Sequence, residues 1–209
     1  MKTYLALIII LIFIKFSFSQ EEIKIDYNNP IAYFEVFLGY SGVNFEGLSL
    51  GYTGNYQKGN NLFTFRNLYI ASKNVNRNRG LSKAFLFPAY INGNSLNEYG
   101  LLYGKRFVYD GSSLSLSAGI SSNTLINRYK IEGLKYREKE HYIGVPFEIN
   151  YKFFKKDKNR FRLFYGLIPI GRPTAFSRSF GFKLYGNFGK VTHVGFGFNY
   201  SFGFHKIYN

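Results

Sequence analysis

The sequence predicts an all-β fold, an up-and-down antiparallel transmembrane β-barrel of about eight to ten strands that follows an N-terminal signal peptide. Three observations support this fold class. The chain begins with a secretory signal, its remainder alternates with a period of two residues, and one face of the alternation is aromatic while the other is small or polar. After Gln20 no apolar stretch is long enough to cross a bilayer as a helix, so a mature chain in a membrane must form a closed barrel.

Residues 1–19 form the predicted signal peptide. Lys2 supplies a positive start, residues 4–14 are a nearly unbroken apolar run, and small residues precede an expected cut after Ser19. An uncleaved helical anchor is the alternative, but Lys15 stops the run well short of the ~20 residues that a spanning helix needs. The chain has no Cys, which excludes a lipid-anchored lipoprotein and a disulfide framework. Residues 20–30 are then a short lead, 31–204 the β-barrel and 205–209 a C-terminal tail.

The strand prediction rests on alternating residue types, clearest near the C-terminus. From residue 194 to residue 204 one face carries Val194 and aromatic residues only, and the other carries Gly, Asn and Ser. Asp110-Gly111 predicts a two-residue hairpin, and Glu132-Gly133 predicts a longer one that joins 113–131 to 134–154. The predicted strands are 31–41, 45–56, 62–72, 97–109, 112–124, 140–154, 160–170, 179–188 and 191–204. Segment 82–92 is a candidate tenth strand, and because an even number is expected, eight and ten strands both stay open.

The composition of the two faces decides which one should meet lipid. Small and polar residues suit a narrow lumen, where side chains from many strands converge, while aromatic and aliphatic residues suit the outer surface of a membrane barrel. The alternative is a soluble secreted β-barrel that binds a small apolar ligand, for which the large apolar residues would have to point inward. The two readings differ in the direction of Phe196, Phe198, Tyr200 and Phe202.

Charged residues on the small and polar faces predict an ion-pair network in the lumen. The residues are Glu35, Glu98, Arg106, Glu148 and Lys152. In a narrow barrel such charges have to pair with one another, because an unpaired buried charge is costly. The network would plug the barrel. The alternative is that some of these residues lie at the rims, in water.

The formal net charge of +15 suggests anionic neighbours, although it also fits simple solubility. Basic residues gather in three predicted loops, at 73–83, 128–139 and 155–162. We expect those on the outer side, Arg77, Arg79 and Lys83 in particular, to contact lipopolysaccharide phosphates or acidic glycans, the alternative being a solvated loop. Nucleic acid is not an expected partner of a secreted barrel.

The sequence contains no recognisable catalytic or metal-binding motif. The lumenal residues His193 and Ser201 are eight positions apart on one predicted strand, which separates them by ~26 Å and rules out direct proton transfer. No metal-ligand spacing occurs, and no cofactor is expected. We therefore expect a non-enzyme, and an outer-membrane lipid-modifying enzyme is the alternative.

Three stretches resemble small outer-membrane β-barrel proteins of Gram-negative bacteria, in the broad OmpA/OmpX-like sense. They are residues 97–104 (NEYGLLYG), residues 142–151 (YIGVPFEINY), which look like a strand of PorT-like barrel domains, and the aromatic C-terminal strand to Phe204. The resemblance covers nearly the whole mature chain as a pattern. It implies an outer-membrane location, insertion by the outer-membrane assembly machinery, contact with outer-membrane lipid and lipopolysaccharide, and a structural, adhesive or accessory (assembly or secretion) role with a plugged lumen. In this family the last strand usually ends the chain on an aromatic residue, whereas here 205–209 follow Phe204.

Overall fold

The computed structural model describes residues 31–72, 94–131, 134–163 and 168–207. Its ten strands are β1 (Ile31–Val43), β2 (Gly47–Lys58), β3 (Asn61–Ala71), β4 (Ser95–Val108), β5 (Ser112–Ile131), β6 (Leu134–Phe154), β7 (Asn159–Leu163), β8 (Ile168–Thr174), β9 (Phe176–Phe188) and β10 (His193–Phe204). The predicted signal peptide (1–19), the lead (20–30), the candidate strand 82–92 and the residues Arg77, Arg79 and Lys83 lie outside the described residues.

Eight of the strands close into one antiparallel barrel in the order β1-β10-β9-β6-β5-β4-β3-β2. Each strand therefore pairs with its nearest barrel neighbour along the chain, and β1 closes the ring on β10, with Tyr33 opposite Gly203 and Val43 opposite His193. This confirms the all-β, up-and-down prediction and selects eight strands over ten. Among the described residues, no helix is long and apolar enough to cross a membrane.

The prediction of one barrel strand at 160–170 is wrong. The region holds β7 and β8, which pair only with each other in a separate two-stranded sheet. Strand β7 has five residues, fewer than the nine to eleven or so that a tilted membrane strand needs. Strand β8 contains Pro169 and Pro173, which lack the N–H groups that a strand paired on both sides has to donate.

The alternation of burial along the barrel strands shows which face is inside. Along β10 every second side chain is buried, and the aromatic ones between them from Phe196 to Phe202 are exposed, Phe198 by 65%. The apolar residues thus point outward and the small and polar residues point into the lumen. The large apolar residues of β10 therefore do not point inward, as a soluble secreted barrel with an apolar ligand in its lumen would require.

The connections define two ends of the barrel. The end where β1 begins and β10 finishes, here the terminal end, also carries the turns at 59–60 and 109–111 and the long connection with β7 and β8. The opposite end, here the hairpin end, carries the tip of the β5–β6 hairpin, where Ile131 pairs with Leu134 as predicted. Pro146 makes no bulge in β6, because Ala118↔Phe147 and Ser121↔Gly144 share one register on either side of it.

A filled lumen as the candidate functional site

Glycine on the inner face makes room for large lumenal side chains. A Cβ atom on Gly195 would lie 2.6 Å from the ring of Tyr185, and one on Gly51 would overlap the ring of Phe37. Tyr185 and Phe37 are themselves fully buried, and their rings contact each other in a tilted arrangement with the centroids 5.2 Å apart. The Gly-rich face predicted from the sequence is thus needed to pack a few bulky groups across a narrow barrel.

Six charged side chains cross the middle of the lumen and alternate in sign. In order of contact they are Lys152, Glu35, Lys183, Glu148, Arg66 and Glu98, which we call the lumenal charge chain. They come from β1, β3, β4, β6 and β9, and each side chain is at most 1% exposed. Three cations and three carboxylates balance, as buried charges require.

Arg66 joins two carboxylates at one end of the lumenal charge chain. Its Nε and Nη2 donate to Glu98 Oε1 at 2.9 and 2.6 Å, and its Nη1 lies 3.5 Å from Glu148 Oε2. Two further bonds of 3.1 Å go to the carbonyl oxygens of Phe147 and Gly186. A guanidinium suits this position between two carboxylates better than an ammonium, because it offers five donors in a rigid planar fork.

Two lysines contact the carboxylates at the other end of the lumenal charge chain. Lys183 contacts Glu35 and lies 3.2 Å from Glu148 Oε2, so it links the two carboxylates. Lys152 contacts Glu35 as well, and its Nζ lies 3.8 Å from the ring centroid of Tyr33, a cation–π distance. Asn150 donates to Glu35 Oε2 at 3.0 Å. Glu35 therefore has three nitrogen donors around it.

Glu98 ends the lumenal charge chain toward the hairpin end of the barrel. Besides Arg66, its carboxylate accepts a 2.7 Å hydrogen bond from Asn187 Nδ2 and lies 3.6 Å from His193 Nε2. Asn187 also donates to Ser121 and Asn123 at 2.7 and 3.0 Å. These neutral groups shield the last carboxylate from the apolar layer beyond it.

That apolar layer fills the lumen toward the hairpin end. Its buried members are Phe37, Phe45, Leu68, Ile70, Leu96, Leu125 and Tyr185, with Tyr142 and Val191 packed against them. An apolar cluster of this kind disfavours ions at this level of the lumen, because an ion would lose its hydration there without replacement.

Arg106 lies in the lumen but belongs to a different cluster from the predicted network. Among the described residues it forms no ion pair with a carboxylate. It donates instead to Gln57 Oε1 at 2.6 Å, Ser113 Oγ at 3.2 Å and the carbonyl oxygen of His205 at 2.9 Å. Its guanidinium also lies 5.1 Å from the ring centroid of Tyr33. The sequence placed Arg106 on the correct face, but it lies eight residues beyond Glu98 along β4, toward the terminal end, where its partners are neutral.

The start of the C-terminal tail closes the terminal end. His205 is fully buried, 5.0 Å from the ring of Tyr33 and 5.8 Å from that of Phe154, so it caps the cluster around Arg106. The next residue, Lys206, contacts the Asp110 carboxylate in the β4–β5 turn at 3.2 Å. Hydrogen bonds from Lys156 and from Lys206 hold the pKa of the Asp110 carboxyl below its ordinary value. His205 and Lys206 are therefore held against the terminal end of the barrel.

The structure brings Glu35, Glu98, Glu148 and Lys152 together and adds two residues that the sequence analysis missed. Lys183 could have been recognised, because it follows Ser177, Ser179 and Gly181 on the small and polar face of β9. Arg66 gave a weaker signal, since both faces of β3 carry large apolar residues. In the described ranges no group of three or more His, Cys, Asp or Glu residues is placed to hold a metal ion.

Comparisons with known proteins concern the whole barrel. No protein-family model matches the chain, and no curated protein matches it. Three similar solved structures, each 10% identical in sequence, are the N-terminal β-barrel domain of Pseudomonas aeruginosa OprF, Neisserial surface protein A, and Ail, the attachment invasion locus protein of Yersinia pestis. Their TM-scores are 0.48, 0.49 and 0.45, and they cover 83%, 83% and 82% of this chain and 98%, 95% and 95% of their own. All three are small β-barrel proteins.

Proposed function

We propose that this protein is a non-enzymatic outer-membrane β-barrel that acts as a closed structural anchor rather than a channel. The observation that carries the proposal is the lumenal charge chain, six buried charges that neutralise one another across the barrel. It lies between the cluster around Arg106 and the apolar layer at the hairpin end. A lumen filled in this way offers solutes no water-filled path.

The outer surface supports membrane insertion. Along β6 the outward positions from Ile143 to Phe153 are all apolar or aromatic. Ten residues of strand rise about 34 Å, which at a tilt of about 40° spans about 26 Å along the membrane normal, close to the ~25 Å apolar band of outer-membrane barrels. The proposal includes export with cleavage after Ser19 and insertion by the outer-membrane assembly machinery.

A barrel without an open channel would act through the hairpins that lie at its two ends. The β5–β6 hairpin extends beyond the neighbouring strands at one end, and the β7–β8 hairpin lies on the connection at the other. Hairpins held on a rigid barrel suit an adhesive or accessory role, because a scaffold that is already ordered lowers the entropy cost of binding.

Fractionation and gel mobility test membrane insertion. We expect the full-length protein in the outer-membrane fraction, with faster migration when the sample is not heated. Recovery as a soluble protein would refute the proposal. Conductance across a planar bilayer tests closure: the inserted protein should give no current steps under conditions in which an open porin does, and stable steps would show that the lumen conducts.

A further inference from the structure

The outer wall of the barrel carries an apolar groove of about 1080 Å³ that crosses β2 and β3. Its lining includes Phe34, Gly54 and Phe65, which pair across three neighbouring strands, and Tyr56 and Phe63, which form the next pair toward the terminal end. All five occupy outward positions of their strands. Gly54 creates the depression, since no atom lies within 4 Å of the position of a Cβ there.

A notch and a projecting ring lie side by side in this groove. Phe65 is directly opposite Gly54 on the neighbouring strand and is 43% exposed. Tyr52 and Tyr56 flank Gly54 along β2, about 13 Å apart, and Phe34 lies across it from Phe65 at about 10 Å. An opening of this size accommodates one aromatic ring. We call it the Gly54 notch.

The register gives the tilt of the strands. A row of paired residues that begins at Ala32 passes once around the barrel and returns to β1 at Gly42, ten residues nearer the hairpin end. In a barrel of eight strands this stagger corresponds to a tilt of about 40°. Each step from β1 to β2 to β3 and onward therefore rises by about 3 Å along the barrel axis. Gly54 and Phe65 differ in height by one such step.

Asn67 lies in the same wall at a depth where lipid is apolar. It is in one row with Ile143, the last apolar outward position of β6, and lies three steps below it, about 9 Å toward the terminal end. Its Nδ2 donates to Asn97 Oδ1 at 3.2 Å and to the carbonyl oxygen of Glu98 at 3.3 Å. From the described part of the chain its Oδ1 accepts no hydrogen bond. An amide oxygen without a partner is costly in hydrocarbon.

We propose that two copies of this protein associate in the membrane through the wall formed by β2, β3 and β4. The inference rests on the proposed function, since it requires this wall to face lipid. Two copies inserted in the same direction are related by a two-fold axis along the membrane normal. With this axis between Gly54 and Phe65, β2 of each copy faces β3 of the other. Phe65 of each copy then enters the Gly54 notch of the partner subunit.

The same axis pairs Asn67 with a hydrogen-bond donor. Because the strands are tilted, Asn67 lies almost directly above Gly54, by about 8 Å along the barrel axis. Tyr99 lies opposite Asn67 on β4 as Phe65 lies opposite Gly54 on β3, and it is 49% exposed. Tyr99 of each copy therefore faces Asn67 of the partner subunit, and its hydroxyl donates to the free amide oxygen.

A second copy fits this wall better than a lipid chain does. An acyl chain fills an apolar notch, but it offers no donor to the Asn67 oxygen. Polar side chains within the membrane stabilise contacts between protein segments for this reason. The wall at β10 provides a contrast, since its outward residues from Phe196 to Phe204 are all aromatic and suit lipid.

The test measures energy transfer between donor- and acceptor-labelled copies of the full-length protein refolded into phosphatidylcholine vesicles. The chain has no Cys, so Lys58→Cys, at the exposed last residue of β2, provides a single labelling site. Gly54→Leu fills the notch. Gly42→Leu is the matched control, because it adds the same side chain at an outward position of β1 where no atom lies within 4 Å of a Cβ. Asn67→Leu removes the amide.

We expect energy transfer in the wild type that rises linearly with the acceptor fraction, as a dimer requires. Gly54→Leu should weaken association by about thirtyfold or more, the loss typical of a central interface residue, and Gly42→Leu should leave it unchanged. Asn67→Leu should insert normally and weaken association by about threefold or more. Gly54→Leu/Phe65→Ala should recover part of the transfer, because the projecting group and the notch exchange strands.

Transfer no greater than random proximity in the inserted wild type would overturn the inference. Equal transfer in Gly54→Leu and Gly42→Leu would also overturn it and would leave acyl chains as the occupant of the groove. If Gly54→Leu does not insert, Asn67→Leu decides, and transfer equal to that of the wild type would overturn the inference. Wild-type protein without heat-modifiable mobility in the vesicles would instead refute the proposed function.

Discussion

Replacing Arg66 by Met tests whether the lumenal charge chain is held in a dry interior. The side chain is completely buried and bridges Glu98 and Glu148. Without it, Glu98 keeps the Asn187 amide and Glu148 keeps Lys183. The lumenal charge chain then carries one uncompensated negative charge among buried groups.

The magnitude follows from the contacts that are lost. A hydrogen bond to a charged group contributes about 1.5 to 3 kcal/mol, and both carboxylates lose such a partner. We therefore expect Arg66→Met to lower the free energy of unfolding by about 3 to 5 kcal/mol, the range found when a buried ion pair is broken. In the double variant Arg66→Met/Glu98→Gln the remaining charges balance again. We expect it to recover about 0.5 to 3 kcal/mol relative to the sum of the two single substitutions.

Urea unfolding of the barrel refolded in phosphatidylcholine vesicles measures these differences, with circular dichroism and unheated-gel mobility as two probes of the folded fraction. Lys190→Met is the matched control, because Lys190 pairs with Glu140 on the exposed surface and its loss should cost at most about 1 kcal/mol. If Arg66→Met cost no more than this control, and the double variant were additive, the lumen would be screened by water and the argument for a closed barrel would fail.

Two further predictions concern the barrel wall and the terminal end. Gly104→Ala should strongly reduce the yield of folded, heat-modifiable protein, because the new Cβ would collide with the backbone of β5, whereas Gly54→Ala should fold normally, since nothing lies within 4 Å of its Cβ position; equal yields would contradict this. The Asp110 carboxyl has a folded-state pKa below its ordinary value, owing to Lys156 and Lys206, so its stabilisation of the tail is complete above the ordinary pKa and is lost as the pH falls through the folded one. The protection factor of the Lys206 amide, which is its exchange rate compared with the intrinsic rate at the same pH, should fall with acidification in that window, and Asp110→Asn should remove this pH dependence of protection; an unchanged profile in the variant would contradict the assignment.

Several features of the fold were predictable because they depend on local sequence. A period of two fixes which residues share a face wherever the chain is extended, so the outward direction of Phe196 and Phe198 and the inward direction of Glu35 and Glu148 followed from residue type alone. The hairpin joining β5 to β6 was predictable for the same reason, since a turn dipeptide between two alternating runs defines both strands.

The sequence misplaced residues 160–170 because their position depends on how many strands close the barrel. Whether 160–170 enters the barrel is decided by which strand pairs with β6 on its free side, and β9 takes that place in register from Val145↔Phe188 to Phe154↔Ser179. The alternation in 160–170 carries no information about that competition. Strand count is a property of the whole sheet and not of any segment.

The sequence by itself determined that this chain forms strands, which face of each strand carries charge and which face is apolar, because those properties repeat every two residues along the chain. Only the tertiary structure decided which charges meet. Glu35 lies opposite Lys183 and Arg66 opposite Glu148 because eight strands of a given register bring their side chains across one narrow lumen. The same arrangement leaves Arg106 with neutral partners. The strength of such contacts depends on distance and burial, and both are set by the diameter of the closed barrel rather than by neighbours in the sequence.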